Sequence, residues 1–204
     1  MTTSTVHLAV YDTLADWETG YATAHIAQPT WQRDPDRFSV VTVGPSLAEV
    51  TSMGGMRIAP DVAITDLDPA DSAMLILPGS NIWHTPVFGP FAAVSRRFLD
   101  AGVPVAAICG ATGGLALAGL LDDRAHTSNA AEFLAGTGYH GAHLYRDEPA
   151  VTDGDLITAS GIAPVEFARA IFARLGIYSD GVLESWFKLY GRHDPAGFYE
   201  LMAA

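Results

Sequence analysis

The sequence predicts an α/β fold with a mainly parallel sheet, and three features of the chain carry that expectation. Short, wholly apolar runs, Met74-Leu75-Ile76-Leu77 and Val105-Ala106-Ala107-Ile108, read as strands buried on both faces. Segments with helical periodicity and helix-end signals alternate with them. Each run passes directly into small or turn-forming residues, Pro78-Gly79-Ser80-Asn81 after the first and Cys109-Gly110-Ala111 after the second. In sheets of this kind ligands bind beyond the carboxyl ends of the strands, so function is sought at those turns.

The elements follow in order. Val6 to Tyr11 is a first strand. Thr13 and Asp16 have capping-box spacing, with Asp in place of Glu or Gln, and predict a helix over Asp16 to Ala27. Phe38 to Val43 is a second strand, stopped by Gly44-Pro45, and Gly54-Gly55 marks the turn of a short hairpin. A helix from Pro90 to Ala101 stops at Gly102. Leu156 to Ala159 is a strand entered from an Asp153-Gly154 turn, and Pro164 opens a helix that runs to Leu175 with Gly176 past its end. Gly181 to Tyr190 and Asp194 to Met202 read as two last helices. Residues 1–204 are thus expected to form a single domain with a helical extension over 177–204.

Of the 204 residues, 49% are hydrophobic and 17% charged, a globular composition able to bury a core. The formal charge of -12 makes nucleic acid and anionic membrane poor partners. No basic segment precedes a long apolar one, so neither a signal peptide nor a membrane span is expected, and the expected location is cytoplasmic. A lone cysteine forms no internal disulfide and no cysteine-rich metal site. His140 and His143 sit among glycines without a carboxylate-rich motif, and neither a metal nor a cofactor is expected.

The lone cysteine, Cys109, stands at a strand–turn–helix corner. A sharp corner brings together the backbones two residues to either side, and Ala107 and Ala111 supply the small residues this needs, as glycines do in G-x-S-x-G elbows. The helix that follows points its free N–H groups and positive dipole end at the sulfur, which favours thiolate. The same pattern also fits an inert cysteine buried at a strand end.

Three segments, in their order and spacing, resemble the ThiJ/PfpI family within the class I glutamine-amidotransferase-like superfamily. They are Tyr11-Asp12-Thr13-Leu14-Ala15-Asp16-Trp17-Glu18, Leu75-Ile76-Leu77-Pro78-Gly79-Ser80-Asn81 and Ala106-Ala107-Ile108-Cys109-Gly110-Ala111, supported by Leu156 to Ser160 and Pro164 to Ala168. The resemblance spans Val6 to Leu175. It implies a flavodoxin-like three-layer sandwich with a cysteine nucleophile elbow, usually a homodimer. It also implies that Glu18, from the first helix, faces the Cys109 thiol, and that the backbone N–H groups of Ser80 and Gly110 form an oxyanion hole. Ser80 replaces the second glycine of the family's Pro-Gly-Gly loop.

Many members carry a histidine about twenty residues after the cysteine. Aligning Arg124 to Ala130 puts Asn129 at that place, with His126 three residues earlier inside a short strand. Asp16, Trp83, His84, Asn129 and His126 are candidate pocket residues, and either His84 or His126 would have to serve wherever an imidazole base is required. The residue set implies a cysteine-dependent enzyme acting on a small electrophilic molecule, of hydratase, lyase or hydrolase type. For members that lack the histidine the resemblance also implies one activity, hydration of an isonitrile to an N-substituted formamide, which needs no imidazole. The alternatives are a redox-sensing stress-response protein and a glutamine-amidotransferase-like or peptidase-like protein.

Overall fold

The computed structural model describes residues 4–204. Among the described residues there are nine strands: β1 (Ser4–Ala9), β2 (Phe38–Gly44), β3 (Val50–Thr51), β4 (Arg57–Ile58), β5 (Val62–Ala63), β6 (Met74–Leu77), β7 (Val105–Ile108), β8 (Ala150–Asp153) and β9 (Leu156–Ala159). The helices are α1 (Gly20–Ala27), α2 (Gly89–Asp100), α3 (Gly110–Leu117), α4 (Ala131–Ala135), α5 (Pro164–Leu175), α6 (Asp180–Tyr190) and α7 (Ala196–Met202). Seven strands form one sheet in the order β5-β2-β1-β6-β7-β9-β8. Every pairing in it is parallel except β8 against β9. The hairpin β3–β4 stands apart.

The period-2 alternation of side chains divides the apolar runs between two cores. Leu75, Leu77, Val105 and Ala107 pack on one face with Phe91 and Phe98 of α2 and Leu115 of α3. Met74, Ile76, Ala106 and Ile108 pack on the other with Ile26 of α1, Phe167, Ile171 and Phe172 of α5, and Trp186 of α6. These three layers are the flavodoxin-like arrangement the resemblance implies. Trp186 and Leu201 are buried in the second core, so α6 and α7 pack as part of the sheet's cover.

The structure departs from the predicted elements at the start of α1, at the end of β1 and in added elements, α4 among them. Helix α1 begins at Gly20, not at Asp16, because the two residues expected to cap it are engaged elsewhere. The Thr13 hydroxyl accepts from the Asn81 N–H at 3.0 Å, and Asp16 accepts from the Gly54 N–H at 2.6 Å. Glu18 therefore lies in the loop before α1 and not on the helix. Strand β1 ends at Ala9, leaving Val10 and Tyr11 in the loop. The edge strands β5 and β8 add to the predicted set; both are short, and β8 has only one buried residue. Among the described residues, no helix is long and apolar enough to cross a membrane.

Candidate active site

Four loops at the carboxyl ends of β1, β6, β7 and β9 converge on Cys109. Its backbone has φ 57° and ψ −125°, a conformation in which a non-glycine residue is strained. Ala107 and Ala111 are fully buried on either side of this corner. Two glycines close in on the sulfur. A Cβ at Gly79 would stand 3.0 Å from Sγ, and one at Gly161 would stand 2.7 Å from it. Only residues without a side chain fit at these two positions, which is why the loops approach the thiol so closely.

Three side chains meet there. Cys109 is partly exposed, whereas Glu18 is fully buried. Oε2 of Glu18 accepts from the Gly79 N–H at 2.5 Å, while Oε1 has no hydrogen-bond partner among the described residues. The point where a Gly161 Cβ would sit is 3.2 Å from that free oxygen, so Oε1 lies beside the sulfur's pocket. On the other side, the Asn129 amide nitrogen donates to Sγ at 3.3 Å while its oxygen accepts from the Gly161 N–H at 2.9 Å. The Trp17 indole N–H donates to the Gly161 carbonyl at 3.0 Å, which fixes this glycine from both ends.

The 78–81 loop is aligned by residues of the loop after β1. The Gly79 carbonyl accepts from the Ala15 N–H at 2.9 Å. In a trans peptide the N–H of the next residue points the opposite way, so the Ser80 N–H is turned away from Ala15. It has no partner among the described residues. A Cβ at Gly110 would stand 3.3 Å from the Ser80 nitrogen, so the two proposed oxyanion donors belong to touching backbones. Ser80 and Gly79 both hold negative φ, and serine therefore fits where the family has a second glycine.

Burial pushes the Glu18 carboxyl up to about 7, against the pull of the Gly79 N–H and the thiol. Burial and the Glu18 charge push the Cys109 thiol up to about 11, although Asn129 and the Gly110 N–H favour its anion. This corrects the expectation of a thiol made acidic by the dipole of α3. The helix end is present, but desolvation and a facing carboxylate outweigh it. The two groups together hold one proton between about pH 7 and about pH 11.

The other predicted pocket residues are placed as follows. Trp83 lies against the start of α3, its Cδ1 2.9 Å from where a Gly110 Cβ would be, and it packs on Phe133. His84 packs on Trp83 and lines a cavity of about 500 Å³ with Phe88, Ala92 and Arg96. Asp16 is turned to the β3–β4 hairpin, and the Ser52 hydroxyl and Gly54 N–H lower its pKa. His126 is fully buried, with Nδ1 bonded to the Arg124 carbonyl and Nε2 to the Tyr139 hydroxyl at 2.9 Å. It forms a single bridge with Tyr145 and none of its recorded bonds reaches the thiol. Gly161 and Trp17 are additions to the predicted set. The signal for Gly161 was its place just past the end of β9, the same position in the fold that Gly79 and Cys109 occupy after their strands.

Comparison with known proteins gives the family. The DJ-1/PfpI family profile matches residues 4–174. The chain is 38% identical over 205 residues to a protein of Bacillus subtilis (strain 168) named "Uncharacterized protease YoaZ", covering 99% of this chain and 98% of that one. The crystal structure of a thiJ/pfpI family protein from Bacillus anthracis superposes with a TM-score of 0.94 at 39% identity, covering 100% of this chain and 97% of that one. The DJ-1 superfamily protein Atu0886 from Agrobacterium tumefaciens matches with a TM-score of 0.81 at 34% identity, over 94% of this chain and 100% of that one. With its elbow cysteine on a parallel sheet of this order, the chain belongs to the DJ-1/PfpI family.

Proposed function

We propose that the protein is a cysteine-dependent enzyme acting on a small electrophilic molecule, by hydrolase, hydratase or lyase chemistry. The observation that carries this reading is the convergence of the Cys109 sulfur, the buried Glu18 carboxyl and the Asn129 amide on one strained corner. In the singly protonated pair, Glu18 takes the thiol proton as the sulfur forms a bond to the substrate carbon. The negative charge that develops on the substrate faces the N–H groups of Ser80 and Gly110. Glu18 returns the proton to the substrate atom that gains electrons, and water then displaces the sulfur, which recovers its proton. For an isonitrile the sum of these steps is addition of water to give an N-substituted formamide. For an ester or amide the protonated atom is the leaving oxygen or nitrogen, its bond to the carbonyl carbon breaks to leave a thioester on Cys109, and the sum with water is hydrolysis.

A cavity of about 310 Å³ adjoins the site at Asn129, which donates to the thiol; Ser128, Ser160, Ile162 and the acidic Asp147, Glu148 and Glu166 also line it, and its size suits a small substrate. The name of the Bacillus subtilis relative favours the hydrolase branch. A Cys–His mechanism of amide hydrolysis has less support, because both ring nitrogens of His126 are engaged away from the sulfur. A redox-sensing role has less support as well, because a thiol raised to about 11 is a poor target for oxidants near neutrality. The test is turnover of a panel of isonitriles, esters, thioesters and peptides by wild type, Cys109→Ala and Glu18→Gln. Turnover by wild type that disappears in Cys109→Ala supports the reading; equal turnover in both refutes it.

A further inference from the structure

The loop that leads to Glu18 and the loop that carries Ser80 are joined peptide by peptide. Tyr11 is fully buried and donates its hydroxyl to the Pro78 carbonyl. That carbonyl and the Gly79 N–H belong to one trans peptide group and point in opposite directions. The Gly79 N–H is the donor to Glu18 Oε2. The Tyr11 hydroxyl and the Glu18 carboxyl therefore hold the two ends of a single peptide dipole. We propose that Tyr11 is a positioning residue that sets the orientation and proton affinity of Glu18 through the Pro78–Gly79 peptide.

A hydroxyl on the carbonyl oxygen polarises the amide and makes its N–H a stronger donor. A stronger donor favours the ionised carboxylate. The Tyr11 ring is held edge-on by Phe88, at 5.9 Å between centroids, and Phe91, at 5.1 Å, so the hydroxyl has a fixed aim. The titratable groups that face Glu18 are Cys109 and Tyr11. Burial and the charges of Glu18 and Cys109 keep the Tyr11 phenol protonated, so it remains a donor across the range in which Glu18 titrates. Asp16, two residues before Glu18, is turned to Ser52 and Gly54.

The inference rests on reading Glu18 as the proton-carrying group of the site, but its test reads the carboxyl itself and needs no substrate. Glutamate is labelled at the carboxyl carbon, and the Glu18 resonance is assigned by its loss in Glu18→Gln. Its titration is then followed in wild type, in Tyr11→Phe, and with a ring-fluorinated tyrosine placed at position 11. The Glu18 midpoint is expected to rise by roughly a few tenths of a pH unit or more in Tyr11→Phe. It is expected to fall with the fluorinated ring, whose hydroxyl is the stronger donor. The lower pH step in Cys109 alkylation by iodoacetamide should move with it. A midpoint unmoved in both proteins overturns the proposal, even where turnover is lost, because Tyr11 then matters only to packing. Should Tyr11→Phe not fold, the fluorinated protein decides alone, and an unmoved midpoint in it is equally fatal.

Discussion

The Cys109 corner and the aromatic cluster around His25 both bury titratable groups, and the fold treats them in opposite ways. Around His25 the polar atoms are paired. Nε2 accepts from the Trp186 indole N–H at 3.3 Å, and Nδ1 meets the Tyr178 hydroxyl at 3.3 Å. Phe172, Trp186 and Tyr190 stand edge-on to the ring, and burial lowers its pKa, which keeps the imidazole neutral. At Cys109 the backbone is strained, one Glu18 oxygen has no partner, and both ionisable groups are shifted up. A buried polar atom left unpaired costs about 1–3 kcal/mol. Around His25 the pairing is complete, whereas at the corner one buried carboxylate oxygen is left beside the thiol.

Four substitutions separate the two regions. Cys109→Ala should reduce turnover by about a thousandfold or more with the fold intact by circular dichroism; residual activity near wild type would remove the corner from the chemistry. Trp186→Ala should lower the unfolding free energy by about 3–5 kcal/mol in urea titrations. The pH profile of Cys109 alkylation should not change with it, and a changed profile would couple the two regions.

Glu18→Gln should impair turnover and yet stabilise the protein. The folded carboxyl titrates near 7 against an ordinary 4.5, so wild type holds this contribution fully below its ordinary value and loses it as pH rises through 7. The glutamine variant should therefore gain about 2–3 kcal/mol over wild type at pH 8 and little at pH 4. A gain confined to low pH would reverse the assigned direction. The smallest effect is backbone strain: Cys109→Gly should be more stable than Cys109→Ala by about 1–2 kcal/mol in thermal melts. Equal stability would mean that the corner is not strained.

The sheet was legible because Met74–Leu77 and Val105–Ile108 are apolar at every position, a pattern that parallel strands covered on both faces impose. The start of α1 was not. Thr13 and Asp16 have the chemistry of caps, but their partners are Asn81 and Gly54, distant in sequence. The approach of Glu18 and Asn129 to the sulfur was legible only through the family resemblance, since neither residue announces itself locally. Tyr11 and Trp17 were illegible as site-builders because each acts on a backbone carbonyl far along the chain, at Pro78 and Gly161. The acidity of the thiol was misjudged because a helix end can be read from sequence, whereas the burial that opposes it cannot.

Cys109 and Glu18 share one proton in this reading, and the Glu18 charge adds to burial in holding the thiol high. Titrating the thiolate by its ultraviolet absorbance in wild type and in Glu18→Gln tests it most directly. Wild type should titrate near 11, and the glutamine variant clearly lower, because the facing charge is gone while burial remains. A thiol midpoint that does not move, or that moves upward, would show that the two groups do not share a proton.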